Sequence, residues 1–171
     1  MRKLLLAALL LAAPACKRAH VHHVDTIEEP PRLASMVRIG DRTMASQLTS
    51  GFYDVENNAW RWTMQKFAVT LRPPARSAQQ GATLEFHLTV PPPTIEKLAS
   101  ITLSASAGGA ALAPETYSKT GDYTYRRDVP ASALTGDSVR IDFELDKAIP
   151  PGDVDKRELG VVASRVALIA K

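Results

Sequence analysis

Along most of the chain the apolar residues recur with period two, the signature of strands that bury one face and wet the other. Leu84, Phe86, Leu88 and Val90 alternate with Glu85, His87 and Thr89, and Val139, Ile141, Phe143 and Leu145 alternate with Arg140, Asp142 and Glu144. Phe67, Val69 and Leu71 form a third row, Ile101, Leu103 and Ala105 a fourth, and Tyr123 with Tyr125 a fifth. Residues 159–169 are apolar at both parities in places, which suits a strand covered on both sides. Gly108-Gly109 is a two-residue hairpin signal, Thr135-Gly136-Asp137 and Pro150-Pro151-Gly152-Asp153 are turns, and Pro91-Pro92-Pro93 ends a strand. No long stretch here carries a 3.6-residue apolar stripe, so helix is predicted only as short turns near 95–99 and 131–134. About eight short strands at close spacing predict an all-β fold, an antiparallel, jelly-roll-like β-sandwich. Its core is predicted to hold Val69, Leu71, Leu84, Phe86, Leu88, Val139, Ile141 and Phe143.

That pattern begins near Met36, and what precedes it is organised differently. Arg2 and Lys3 are followed by an apolar run from Leu4 to Ala15 and then by Cys16. A basic pair ahead of a short apolar run reads as a secretory signal helix, because a spanning helix needs about 20 apolar residues. Ala13, Pro14 and Ala15 directly before Cys16 resemble the signal of bacterial lipoproteins, in which the cysteine sulfur receives a diacylglycerol and becomes the mature N-terminus. The resemblance implies lipidation at Cys16 and a protein held to a membrane of the bacterial cell envelope by its lipid. Cleavage after Ala15 without lipidation is the other reading, and it leaves an unpaired thiol. Cys16 is the single cysteine, so neither reading allows an internal disulfide. His20, His22, His23, Glu28, Glu29, Pro30 and Pro31 lie in a stretch without apolar periodicity that reads as a flexible tether. The three histidines invite a metal reading, but no orienting shell or completing ligand accompanies them, so no metal is assigned. The organisation expected is a signal peptide over 1–15, the lipidated cysteine and tether over 16–35, and the sandwich over 36–171.

With 171 residues and 18.5 kDa there is room for one core, and 45% hydrophobic with 23% charged residues is an ordinary globular composition. The formal net charge is +3; without Arg2 and Lys3, 19 of the 21 Lys and Arg remain against 18 Asp and Glu, a net +1. A nucleic-acid partner requires a basic footprint that this balance does not provide. There is no Gly-rich phosphate loop, no Gly-x-Ser-x-Gly elbow and no Cys/His set with metal spacing, so no cofactor and no catalytic residue is assigned. His87, the one histidine outside the tether, reads as a cross-strand residue on a polar face.

Gly51-Phe52-Tyr53-Asp54-Val55-Glu56-Asn57-Asn58-Ala59-Trp60-Arg61-Trp62 is the aromatic centre of the chain and holds both tryptophans. Asn57-Asn58 tolerates left-handed turn conformations, so the segment reads as a hairpin, with Trp60 and Trp62 on one face and Arg61 on the other. Gly-Phe-Tyr, then Glu, then Arg-Trp, with Asp155-Lys156-Arg157-Glu158-Leu159-Gly160 far downstream, resembles small β-sandwich domains found alongside bacterial glycosyltransferases and in envelope polysaccharide proteins. Those domains are similar to carbohydrate-binding modules. The resemblance spans roughly residues 44–169 and implies an accessory domain with sugar binding as its task. It marks Tyr53, Glu56, Arg61, Trp62, Asp155 and Arg157, to which the chain adds Trp60.

Two physical readings of these residues stand open. In one, an exposed Trp60, Trp62 or Tyr53 stacks on a sugar ring while Glu56, Arg61, Asp155 or Arg157 binds hydroxyls. In the other, Trp62 lies in the core, and Arg61 with Glu56, or Arg157 with Asp155, forms an ion pair that fixes loops. Tyr117, Tyr123 and Tyr125 form either an aromatic surface or half of a cross-strand ladder. The functions that fit are a non-enzymatic lipoprotein that binds glycan or supports envelope polysaccharide assembly, and an adaptor for an envelope protein with no sugar site. A hydrolase would need two converging carboxylates from Asp54, Glu56, Asp153 and Asp155. The sequence assigns no oligomeric state. For the anchor, Cys16→Ser is expected to move the protein from the membrane pellet to the soluble fraction; unchanged fractionation without an acyl mass on the wild type would refute lipidation.

Overall fold

The computed structural model describes residues 32–171. The signal peptide expected over 1–15, Cys16, and the histidines His20, His22 and His23 lie outside the described residues. Ala34 is already engaged with the body: its N–H donates to Gln47 Oε1 at 3.0 Å, and its carbonyl accepts from the Gln47 side chain and from Arg72 N.

Nine strands follow, with short helical turns between them. They are β1 (Met36–Arg38), β2 (Leu48–Phe52), β3 (Arg61–Leu71), β4 (Ala82–Val90), β5 (Ile101–Ala107), β6 (Ala110–Tyr117), β7 (Gly121–Val129), β8 (Val139–Leu145) and β9 (Val162–Ala170). A 3₁₀ turn (Arg42–Gln47) precedes β2, helix α1 (Ser77–Gln80) precedes β4, α2 (Pro92–Leu98) follows it, and a second 3₁₀ turn (Ala131–Ala133) precedes β8. The two turns predicted near 95–99 and 131–134 are therefore present; the first starts earlier, with proline in its first turn, where a missing N–H costs nothing. Gly108 and Gly109, at φ 54° and 85°, close the β5–β6 hairpin.

All the strand pairings are antiparallel. One layer runs β9–β4–β7 with β1 and the first residues of β3 sharing the free edge of β9. The other runs β2–β3–β8–β5–β6. The fold is the antiparallel β-sandwich that the period-two rows predict. β1 and β2 are the strands the pattern does not announce, because three residues of β1 carry a single buried side chain, Val37.

The core lies between the layers and contains all eight residues expected there. Phe67 and Phe143 are cross-strand partners whose rings stack with centroids 5.0 Å apart. Phe86 from the opposite layer lies 4.9 Å from Phe143 and 5.6 Å from Phe67. Val166, Ala167 and Leu168 are buried in succession, as a strand covered on both faces requires. One detail departs from expectation. Glu85, on the nominally wet side of β4, is buried, held by Arg126 at 2.7 Å and Arg165 at 3.5 Å. Tyr125 and Tyr117 are also buried, and Tyr125 donates to Ala113 O at 2.8 Å; these tyrosines are inward packing and not an aromatic surface.

β3 serves both layers, and its change of partner is tightly specified. Arg61 and Trp62 pair with β9, whereas Lys66 to Leu71 pair with β8. In between, Thr63 N donates to Val161 O at 2.9 Å, Gly160 N to Thr63 O at 2.8 Å, and Gln65 N to the Glu158 carboxylate at 2.7 Å. A Cβ on Gly160 would lie 2.6 Å from both Leu145 Cδ1 and Thr63 Oγ1 and 2.8 Å from Met64 O, so only glycine fits. Phe143→Ala is expected to cost about 3–5 kcal/mol in urea unfolding, whereas Thr124→Ala, exposed on the outer side of β7, should stay within about 0.5 kcal/mol. Similar losses for the two would contradict the core as described.

Candidate functional site

The aromatic segment is a hairpin grown from the start of β3. Gly51, at φ +74°, lets β2 come so close to β3 that a Cβ would sit 2.0 Å from Lys66 O. Phe52 then packs edge-on to Phe67 at 5.4 Å. Tyr53 N donates to Trp62 O at 3.0 Å and Glu56 N to Trp60 O at 2.9 Å, closing a turn in which Asn57 and Asn58 take φ of 51° and 52°. Asparagine tolerates that left-handed conformation, which is why this dipeptide marks the turn.

Arg157 clasps this hairpin to the loop before β9. Its Nε and Nη2 donate to Asp155 at 3.1 and 2.9 Å, and its Nη1 reaches Glu56, 101 residues away, at 2.8 Å. The guanidinium carbon lies 5.2 Å over the Tyr53 ring. Hydrogen bonds from the Arg157 side chain, then from its backbone N–H, hold the Asp155 carboxyl below its ordinary 3.8. The bonds to Asp155 and then Glu56 raise the Arg157 guanidinium in turn. Because the Asp155 value is depressed on folding, the clasp contributes fully above pH 3.8 and fades as pH falls through the lowered value. Glu56 and Asp155 therefore face one shared guanidinium.

Arg61 is placed differently from the ion pair considered for it. Its Cα partner is the buried Ala163, so its side chain turns to the inner side of the layer, opposite to the tryptophans. There Nε donates to Ile39 O at 2.9 Å and Nη1 to Tyr53 O at 2.8 Å. Its partners are carbonyls, with no carboxylate among the described residues. The guanidinium ties the end of β1 to the root of the hairpin, where Gly40 passes so close to Ala59 that a Cβ would meet its backbone at 2.5 Å.

Trp60 and Trp62 stand on the outer face of the β1–β9–β4–β7 layer. Trp62 is opposite Val162, itself opposite Thr89 on the outer side of β4, and the Trp60 ring meets Trp62 edge-to-face at 6.5 Å. Both rings are half-buried, so Trp62 is not a core residue. On the same face the next row holds Arg38, Arg165 and His87 on β1, β9 and β4. An open cavity of about 650 Å³ lies there, bounded by Arg38, Asp41, Asn58, His87, Ser164 and Arg165. Only Asn58 and Ala59 of its lining belong to the hairpin. The other contributors depend on the β1–β9–β4 register, which no local motif announces. His87 Nε2 lies 2.6 Å from Arg165 Nη2, and Ser164 Oγ donates to the His87 carbonyl; among the described residues no serine hydroxyl is hydrogen-bonded to the ring. The opposite layer carries an outer groove of about 440 Å³, where Lys66–Glu144 at 3.0 Å and Arg140–Asp142 at 2.6 Å neutralise one another.

Arg61→Ala is expected to destabilise by about 2–3 kcal/mol, because two inward carbonyls lose their donor. The loss should be the same at pH 7 and pH 3.5. A loss that shrinks as carboxylates protonate would restore the ion-pair reading.

No family model and no curated protein matches the chain. Among solved structures it is similar to TmCBM27, a carbohydrate-binding module described for specific mannan recognition, at 13% identity over 81% of this chain and 97% of that one, with a TM-score of 0.49. It is also similar to the CBM36-1 domain of a multidomain xylanase from the hindgut metagenome of Trinervitermes trinervoides, at 9% identity over 80% and 96%, TM-score 0.42. A third similar structure is a CBM4 module, at 12% identity over 78% and 81%, TM-score 0.32.

Proposed function

We propose that this chain is a non-enzymatic lipoprotein of the bacterial cell envelope, tethered to its membrane through Cys16, whose sandwich binds glycan on the outer face of the β1–β9–β4–β7 layer. One observation carries the reading. The Trp60–Trp62 pair and a polar, open cavity occupy neighbouring rows of the same face. A saccharide presents an apolar C–H face and a rim of hydroxyls, and an indole beside fixed polar groups complements both. Asn58, His87 and Ser164 provide hydrogen-bonding atoms there. Mannan recognition is a property of the similar solved protein; the reading for this chain rests on its own face.

The division of labour follows from the geometry. Trp60 and Trp62 are the contacts. Arg61, Arg157, Asp155 and Glu56 are already bonded to one another or to backbone and act as scaffold, with Tyr53 under the Arg157 guanidinium. An adaptor role would call for a contiguous apolar patch. The exposed large hydrophobics among the described residues are Met36, Met64, Val154 and Ile169, of which Met36 and Ile169 are diagonal neighbours across β1 and β9 while Met64 is on β3 and Val154 in the loop before β9.

The test is a glycan array with the full chain in detergent, repeated with Trp60→Ala. Binding to at least one envelope glycan, weakened about tenfold in the variant at an unchanged melting temperature, is the expected outcome. Wild-type protein that binds no glycan, or a variant that binds as well as wild type, would overturn it.

A further inference from the structure

We infer that the cavity beside the tryptophans takes a carboxylate-bearing saccharide, a uronate unit, with the carboxylate held between Arg38 and Arg165. The inference rests on the glycan-binding reading and names its ligand class.

Arg38 and Arg165 are direct cross-strand partners on β1 and β9, and both point to the outer face. Like charges directly opposite each other weaken a strand pair, so such a pair is retained at a cost unless an anion sits between them. The protein supplies that anion only in part. Glu85 is the nearest carboxylate to Arg165, at 3.5 Å, but its other oxygen is taken by Arg126 at 2.7 Å. A second Arg165 contact goes to His87 Nε2, which carries no negative charge. Arg38, exposed, makes no hydrogen bond or ion pair through its guanidinium among the described residues. Asp41 feels Arg38 through space, behind its bonds to Thr43, whose N–H and hydroxyl both donate to Asp41 Oδ1 at 2.9 and 2.7 Å. Asp122, at the far edge of the face, is held by the Thr89 hydroxyl.

Two guanidiniums therefore border a cavity whose lining holds one carboxylate, Asp41, bonded to Thr43 through a single oxygen. The guanidinium fork matches a planar carboxylate better than any single hydroxyl, and a charge-assisted pair of this kind is about twice as strong as a neutral one. A sugar that carries its carboxylate on the ring can set that group between the arginines while its C–H face meets the indoles in the neighbouring row. A neutral glycan uses only the second half of this face. A polynucleotide would need a basic stripe that follows a backbone, which the net charge of +3 over the whole sequence does not provide.

The experiment is calorimetric titration of the full chain in detergent with oligogalacturonate, oligoglucuronate and oligomannuronate, each beside its methyl ester, with a neutral oligosaccharide panel and a single-stranded DNA oligonucleotide in parallel. Binding of at least one uronate, about tenfold tighter than its ester and weakening with salt, supports the inference. Arg38→Gln should weaken the acid about tenfold and so abolish its preference over the ester, and Trp60→Ala should weaken both. Arg165→Gln also removes a partner of buried Glu85 and risks the fold; Arg38, exposed and with no hydrogen bond or ion pair through its guanidinium among the described residues, carries the decision. Equal affinity for acid and ester, binding of neutral glycans alone, or DNA bound as tightly as uronate would each overturn the inference while leaving or reshaping the glycan reading. No binding to any saccharide would overturn both.

Discussion

The sandwich depends on one constraint: β3 has to leave one sheet and enter the other without stranding a backbone hydrogen-bonding group. A buried N–H or carbonyl without a partner costs about 1–3 kcal/mol, and the crossing passes through the interior edge of both layers. The residues before β9 meet this demand group by group. Thr63 exchanges bonds with Val161 and Gly160, and Gln65 N is received by the Glu158 carboxylate. The Gln65 side chain spans to Leu145 O at 3.0 Å, and Gly160 leaves the space through which the strands pass. Leu159 adds a bridge to Ile149. With the crossing fixed, Phe67 faces Phe143 and Phe86 at the same time, and the two layers share one core.

The same constraint explains why the run Asp155 to Gly160 and the hairpin around Asn57-Asn58 belong together. They are the two segments that flank the crossing, and Arg157 joins them by salt bridges to Asp155 and Glu56 and by its stacking on Tyr53. Arg61 does the corresponding work on the other side of the strand by holding the carbonyls of Ile39 and Tyr53. Charged residues near aromatics look like a binding site in sequence, but their hydrogen-bonding capacity is largely consumed in holding the loops. What the clasp leaves outward is the Trp60–Trp62 pair, set at a fixed angle of 81° beside the cavity.

Much of the fold was legible because each long strand has one wet face, so its period shows in the residues themselves. Leu84, Phe86 and Leu88, or Val139, Ile141 and Phe143, announce a strand without any partner in view. The hairpin was legible for a local reason too, since two consecutive asparagines tolerate positive φ. What remained hidden depends on long-range pairing. Nothing in Glu85 or its neighbours tells that Arg126 and Arg165 will enclose it, and nothing in Met36–Arg38, where the alternating pattern begins, tells that these residues pair with β9. The placement of Arg61 was hidden for the same reason: its acceptors are backbone carbonyls, whose positions no side-chain pattern reveals. The cavity assembles residues from β1, β4, β9 and the hairpin tip, and only register brings them together.

The central claim is that ligand chemistry belongs to the outer face beside the tryptophans and not to the clasp or to the groove on the opposite layer. The chain has two tryptophans, so its ¹⁵N-correlated spectrum should hold two indole N–H resonances that report on that face alone. Titration with a glycan that binds is expected to shift both indole signals, saturating together with the amides of Asn58 and Arg165. A ligand that saturates while both indole signals stay still, with the shifts gathered on Ser104, Ser106 and Asp142 of the opposite groove, would contradict the account.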